Sequence, residues 1–263
     1  MVVLDPSATT VCRGDIIVFN CSAYSNPEVH TYELYVNETM VNEIGRMGIW
    51  NITMATRGVF VYKCMVNNTI GTAMSMNVPV TVNVPSFIQP IDDEMIIEGG
   101  NVNLTCNASG FPTPTVSWVK TSNGQLTNGT ELVLTSISRD QAGEYRCEAS
   151  NLCNTATELA TVDVQFKPEM VVLDPSATTV CRGDIIVFNC SAYSNPQVHT
   201  YELYVNGTMV NEISRMGIWN ITMATGGVFV YKCMVNNTIG TAMSMNVPVT
   251  VNVMLLMEGE KWS

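Results

Sequence analysis

The sequence predicts an all-β protein built from three tandem two-sheet sandwiches in an A–B–A arrangement. Three observations carry this expectation: a long internal repeat, apolar residues alternating with period two, and turn-forming clusters every ~8–12 residues. Residues 1–84 recur at 170–253 with an offset of 169. Only four positions differ: Glu28 against Gln197, Glu38 against Gly207, Gly45 against Ser214, and Arg57 against Gly226. The stretch between them, 85–167, has a similar length and an unrelated sequence. The expected domains are therefore 1–84, 85–167 and 168–253, followed by a non-domain tail, 254–263. Proline at Val84-Pro85-Ser86 and Phe166-Lys167-Pro168 marks the two joints, because it removes a ladder donor and fixes φ.

The strand signal is explicit in each part. Val102, Leu104 and Cys106 alternate with Asn103 and Thr105, and Ile17, Phe19 and Cys21 alternate in the same way. No stretch of helical period exceeds about two turns, whereas the β-branched and aromatic residues suited to a pleated surface are plentiful.

Composition excludes several function classes. With 12 Lys+Arg against 23 Asp+Glu, the net charge of −11 repels nucleic acid and anionic membranes. No run of 18 apolar residues is present, so no membrane-spanning segment is expected. No Ser–His–Asp set, Gly-rich phosphate loop or paired-carboxylate cleft can be assembled, which makes the chain a non-enzyme without a cofactor. His30 and His199, the two histidines, lack a second ligand at metal spacing. The acidic run Asp92-Asp93-Glu94 lacks a third ligand set for calcium and reads as a solvated turn. The seventeen methionines, Met74 and Met76 among them, are expected to fill gaps in the core.

The middle part carries a family pattern. Cys106 is followed by Trp118, then by Leu132, Leu134 and Ile137, then by Asp140-Gln141-Ala142-Gly143-Glu144-Tyr145-Arg146-Cys147. That order resembles an intermediate-type (I-set) immunoglobulin domain. The resemblance implies a Cys106–Cys147 bridge between the sheets, covered by Trp118, with Tyr145 turning its hydroxyl to the backbone as a tyrosine corner. Closing 41 residues in that loop contributes on the order of 4 kcal/mol in the chain-entropy account. The outer parts are similar to C2-type domains, with Cys21 and Cys64, and Cys190 and Cys233, in the bridging positions. They depart from the pattern at Leu34 and Leu203, where tryptophan is usual, and at Gly58-Val59-Phe60-Val61, which lacks the Asp-x-Gly step. Trp50 and Trp219 are expected to fill the volume that leucine leaves.

Three cysteines remain. In the resemblance, Cys12 falls at the A′–B turn of the first domain and Cys153 in the F–G loop of the second, at poles that face each other in a tandem array. A Cys12–Cys153 bridge between domains is one reading, and small buried apolar residues is the other; Cys181 is left unpaired. Arg13-Gly14-Asp15 and Arg182-Gly183-Asp184 spell the integrin-recognition tripeptide, yet glycine between polar residues is also what such a turn requires. Arg182, Gly183 and Asp184 form the more open copy under the integrin reading.

Eleven Asn-x-Ser/Thr sequons and nine cysteines point to an oxidising, glycosylating compartment. The glycosylation candidates are Asn37, Asn51, Asn67, Asn103, Asn107, Asn128, Asn206, Asn220 and Asn236. Asn20 and Asn189 precede a bridging cysteine, and low occupancy is expected there. Met1 has no signal-peptide pattern before it and the tail matches no domain start, so a piece of a longer secreted or membrane-anchored protein is expected. The function expected from the resemblance is a protein-binding adhesion module at the cell surface, homophilic or heterophilic, whose binding face is the glycan-poor one. The alternatives are a spacer in a matrix protein and an ectodomain piece of a receptor kinase.

Overall fold

The computed structural model describes residues 1–41 and 47–253, with Asn211, Glu212 and Ile213 described by backbone alone. The expected tail 254–263 and the repeat difference at Gly45 lie outside the described residues. The fold is all-β. In chain order the first strands are β1 Val2–Pro6, β2 Thr10–Cys12, β3 Ile16–Ala23, β4 Thr31–Val36, β5 Thr39–Met40, β6 Ile49–Thr53, β7 Gly58–Asn67, β8 Thr72–Met74 and β9 Val78–Ile88. The middle sequence supplies β10 Glu94–Ile97, β11 Val102–Thr105, β12 Ala108–Phe111, β13 Thr115–Lys120, β14 Leu126–Asn128, β15 Glu131–Leu134, β16 Gly143–Ser150 and β17 Thr155–Pro175, with a 3₁₀ turn at Arg139–Gln141. The second copy of the repeat continues with β18 Thr179–Cys181, β19 Ile185–Asn195, β20 Thr200–Val205, β21 Thr208–Ser214, β22 Ile218–Thr222, β23 Gly227–Asn236, β24 Thr241–Met243 and β25 Val247–Asn252.

The chain divides into two compact units: Met1–Asp92 with Asn103–Val133 and Gly143–Thr161, and Asp93–Val102 with Leu134–Ala142 and the chain from Val162 onward. In the first unit, β1, β3 and β6 form one sheet, and β12, β9, β7, β4 and β5 form another, with β2 parallel to β9 and β8 along β7. Apolar residues of alternate parity meet between these sheets. Leu4, Ile17, Phe19, Leu34, Trp50, Val80 and Val82 make a closed core around Cys21 and Cys64, each large side chain worth about 1.5–3 kcal/mol when withdrawn from water. Trp50 and Leu34 share that core. Tyr62 packs on Phe19 at 4.3 Å between ring centres, and its hydroxyl donates to the Met54 thioether at 3.7 Å. Burial raises the Tyr62 phenol above its ordinary pKa. From the middle sequence, Leu104, Cys106, Trp118, Leu132, Tyr145 and Cys147 are all buried in this unit.

The second unit repeats the outer core with Ile186, Phe188, Leu203, Trp219, Val249 and Val251 around Cys190 and Cys233. Its β17 takes β10 as a parallel neighbour at Val162–Gln165 and β19 as an antiparallel one at Phe166–Pro175. Arg139 ties this region together. Its Nη2 donates to Glu98 and Glu169 at 2.8 Å each, and its guanidinium lies 3.7 Å from the centre of the Phe166 ring. Asn195 donates to the Asp163 carboxylate at 2.6 Å and to the Val164 carbonyl at 2.9 Å.

The Arg139 hydrogen bond holds the Glu169 carboxyl below its ordinary pKa. A depressed folded value means that the pair's contribution is complete above the ordinary glutamate value of about 4.3 and fades as the pH falls through the lower folded value. A carboxyl-carbon NMR titration should place Glu169 below the ordinary range, and Arg139→Gln should return it there.

One glycine is required by a close approach. Gly48 has φ +71°, its carbonyl accepts from Cys21 N at 2.7 Å, and a Cβ would stand 2.4 Å from the Cys21 carbonyl oxygen. Gly217 repeats this against Cys190. Gly48→Ala and Gly217→Ala should each lower stability by more than about 1 kcal/mol in denaturant unfolding.

Candidate protein-recognition face

The residues between the core positions build the outer face of the sheet of β9, β7, β4 and β5. Because Leu34 and Cys64 point inward and pair across strands, Glu33, Tyr35, Lys63 and Met65 point outward. Cross-strand register puts Tyr35 between Met40 and Lys63, and Met65 between Glu33 and Met74. The result is an amphipathic patch of thioethers around one tyrosine and one lysine. Tyr35 Oη donates to Glu33 at 2.8 Å, which raises the phenol's pKa, and Lys63 is ion-paired with Glu38. The second copy repeats the patch with Glu202, Tyr204, Met209, Lys232, Met234 and Met243. There Gly207 replaces Glu38, and the Lys232 ammonium lies 5.7 Å from the centre of the Tyr204 ring.

This corrects the expectation that the methionines fill the core. Met74 is 53% exposed and Met76 83%, with Met243 and Met245 alike, whereas Met54 and Met223 are buried. The physical reason is register: β8 pairs with β7 so that Met74 stands opposite Met65, on the solvent side of Cys64. Parity counted from Cys64 was the signal available in the sequence for Met65.

The glycosylation candidates lie off the centre of this face. Asn20 and Asn51 lie on the outer face of the β1–β3–β6 sheet, and Asn189 and Asn220 on its copy. Asn37 and Asn206 sit in the β4–β5 and β20–β21 turns, where their Oδ1 atoms accept from Val61 N and Val230 N at 2.9 Å. Asn67 and Asn236 close β7 and β23 with the outward parity of Met65 and Met234, at the rim of the face. Asn103, Asn107 and Asn128 are exposed in the middle sequence. Every sequon asparagine is exposed except Asn236, which is half-buried. None stands between Tyr35 and Met74.

The cysteines are placed as follows. Cys21 and Cys64, Cys106 and Cys147, and Cys190 and Cys233 are bonded with Cα–Cα distances of 6.3, 6.3 and 6.4 Å. Cys12 is bonded to Cys153, Cα–Cα 5.8 Å. The Cys153 loop is held by Asn151, whose side chain accepts from Cys153 N and donates to the Val84 and Pro112 carbonyls at 2.8 and 3.1 Å. Asn154 accepts from Ser86 N at 2.6 Å. Sequence reasoning missed both asparagines. Cys181 is unbonded and half-buried. In both copies the Arg-Gly-Asp tripeptide closes a turn: Asp15 and Asp184 each accept from the backbone N–H of Cys12 or Cys181 at 2.8 Å. Their carboxylates are thereby engaged with their own turn.

Among the described residues, no group of three or more metal-ligating side chains is found, and no helix is long and apolar enough to cross a membrane. One model of the immunoglobulin domain matches residues 84–151, and a second matches residues 2–84 and 168–253. The chain belongs to the immunoglobulin superfamily. Among its relatives, the mouse peroxidasin homolog is 28% identical over 215 residues, covering 73% of this chain and 14% of that protein. Mouse IgLON family member 5 is 32% identical over 138 residues, 52% of this chain and 41% of that protein. The chain spans only 14–18% of the length of the peroxidasin homologs of mouse and human. In structure it is similar to a chain of the Dpr2 Ig1-Ig2 complex with DIP-Theta Ig1-Ig3, with a TM-score of 0.55 at 19% identity, covering 97% of this chain and 100% of that one. The titin I-band fragment I67-I69 gives 0.53 at 14% identity, covering 97% and 99%. These likenesses show the tandem immunoglobulin fold.

Thiol counting checks the cysteine assignment. The native protein should label one thiol with maleimide, at Cys181, and Cys153→Ser should label two, at Cys12 and Cys181. The variant should lose about 2–4 kcal/mol of stability, the usual effect of removing a disulfide.

Proposed function

We propose that the chain is an extracellular protein-binding module of a tandem-immunoglobulin cell-surface protein, acting in adhesion and carrying no enzymatic activity. The observation that supports this is the duplicated methionine–tyrosine face, which offers adaptable apolar contact with a polar handle and is free of sequons at its centre. Four disulfides fit an oxidising, extracellular setting. The relatives support the same reading. One, from Xenopus laevis, is named a cell adhesion molecule-related protein, and the Dpr2 structure is a complex of two immunoglobulin proteins. Two copies of one face on one chain let weak single contacts add through effective concentration.

Beads of two colours carrying the secreted, oxidised chain test the reading for self-recognition. Mixed clumps are expected, lost on reduction and lost in Met65→Glu/Met234→Glu, which places a charge at the centre of each face. Clumping unchanged in that variant would remove the face from the proposal, and absence of clumping at high density would assign it to a heterologous protein partner.

A further inference from the structure

The opposite sheet of each repeat raises a separate problem. Its outward positions are Val3 and Asp5 on β1, Ile16, Val18, Asn20 and Ser22 on β3, and Ile49, Asn51 and Thr53 on β6. Ile16 is 62% exposed and Ile49 50%, and among these outward positions Asp5 alone is charged. The copy formed by β17, β19 and β22 repeats the pattern, with Ile185 62% and Ile218 47% exposed. β6 and β22 are also the last strands of their sheets, and among the described residues no strand pairs with their outer edges, where the Ile218 N–H alone finds the Ser214 Oγ at 3.3 Å. An exposed apolar edge strand is a template for pairing with another chain, and proteins blunt such edges with charge, proline, bulges or a cover. The segment Ile49-Trp50-Asn51-Ile52-Thr53 contains neither charge nor proline, and its register with β3 runs without a bulge.

At the centre of that edge strand stands Asn51 of the sequon Asn51-Ile52-Thr53, exposed and directly across from Val18; Asn220 stands across from Val187 in the copy. We propose that Asn51 and Asn220 carry N-linked oligosaccharides whose task is to cover this apolar face and block edge-to-edge strand pairing. The donor is a polyprenyl-diphosphate-linked oligosaccharide. A bond forms from its anomeric carbon to Asn Nδ2, the bond from that carbon to the diphosphate breaks, and the amide proton leaves with the polyprenyl diphosphate. Asn20 on the same face does not share the task, because its sequon includes Cys21, which is committed to the bridge to Cys64. The inference does not depend on the adhesion reading, since it concerns the other sheet.

The test uses the 263-residue chain secreted from glycosylating cells, in the Met65→Glu/Met234→Glu background so that contacts through the methionine face do not contribute. Amidase release of glycans in heavy-oxygen water converts occupied asparagines to labelled aspartates, and the label is expected at residues 51 and 220. Sedimentation should show a monomer at tens of micromolar. Thr53→Ala/Thr222→Ala, which keeps both asparagines but destroys the sequons, should shift the chain to dimers and larger species. Adding Ile49→Lys/Ile218→Lys should restore the monomer without sugar. Should the threonine variant not be secreted, trimming the folded Met65→Glu/Met234→Glu chain with an endoglycosidase to a single N-acetylglucosamine, which leaves both asparagines uncharged, provides the comparison with the covering sugar removed. Unlabelled Asn51 and Asn220, or a sugar-free chain that stays monomeric, overturns the proposal.

Discussion

A disulfide that crosses between two sheets requires both of its cysteines to face the same interior, and this single condition orders both faces of each repeat. Cys21 on β3 and Cys64 on β7 satisfy it. With a side-chain period of two, Val18 and Asn20 must then face outward on one sheet, and Lys63 and Met65 on the other. Ladder register carries the parity to neighbouring strands, so Asn51 joins Val18 and Tyr35 joins Lys63. The bridge therefore fixes which positions face outward on each sheet: Asn20 and Asn51 on one, and Met65, with Asn67 two residues beyond it, on the other. A one-residue slip of either strand would exchange core for surface along its whole length, which the burial of Phe19, Trp50 and Leu34 opposes.

How much of this is legible in the sequence depends on how local each cause is. Cys106, Trp118, Tyr145 and Cys147 are readable because their order and spacing carry the immunoglobulin resemblance, which implies their burial. The unusual core of the repeat is half-readable. Trp50 beside Leu34 follows from volume, but the Tyr62 hydroxyl finding the Met54 thioether does not, because the partner comes from the segment between β6 and β7. Met74 could be placed only by knowing that β8 folds back on β7 across the Asn68–Gly71 turn, a pairing that composition conceals. The same holds for Asn151 and Asn154, whose acceptors and donors are backbone groups at Val84 and Ser86, 67 and 68 residues away. The Cys12–Cys153 pairing was approachable through the resemblance because it depends on which loops share a pole, a property of fold rather than of side chains.

The differences between the two copies have a physical pattern. Glu28, Glu38 and Arg57, and their counterparts Gln197, Gly207 and Gly226, are all exposed, so none alters the core. Arg57 lies 4.1 Å from the centre of the Phe111 ring, within the first unit, a contact its glycine counterpart has no side chain to make. Glu38 and Gly207 lie beside the methionine–tyrosine face. In the first copy the Lys63 ammonium is neutralised by Glu38, while in the second it is the Tyr204 ring that lies near the Lys232 ammonium. An exposed ion pair of this kind contributes at most about 1 kcal/mol to folding, so its presence or absence leaves the scaffold untouched. What changes is the potential met by an approaching surface, which governs encounter rate and register more than affinity. The two copies thus keep the same apolar residues and cross-strand register while a single glutamate-to-glycine difference at a turn gives their faces unlike charge.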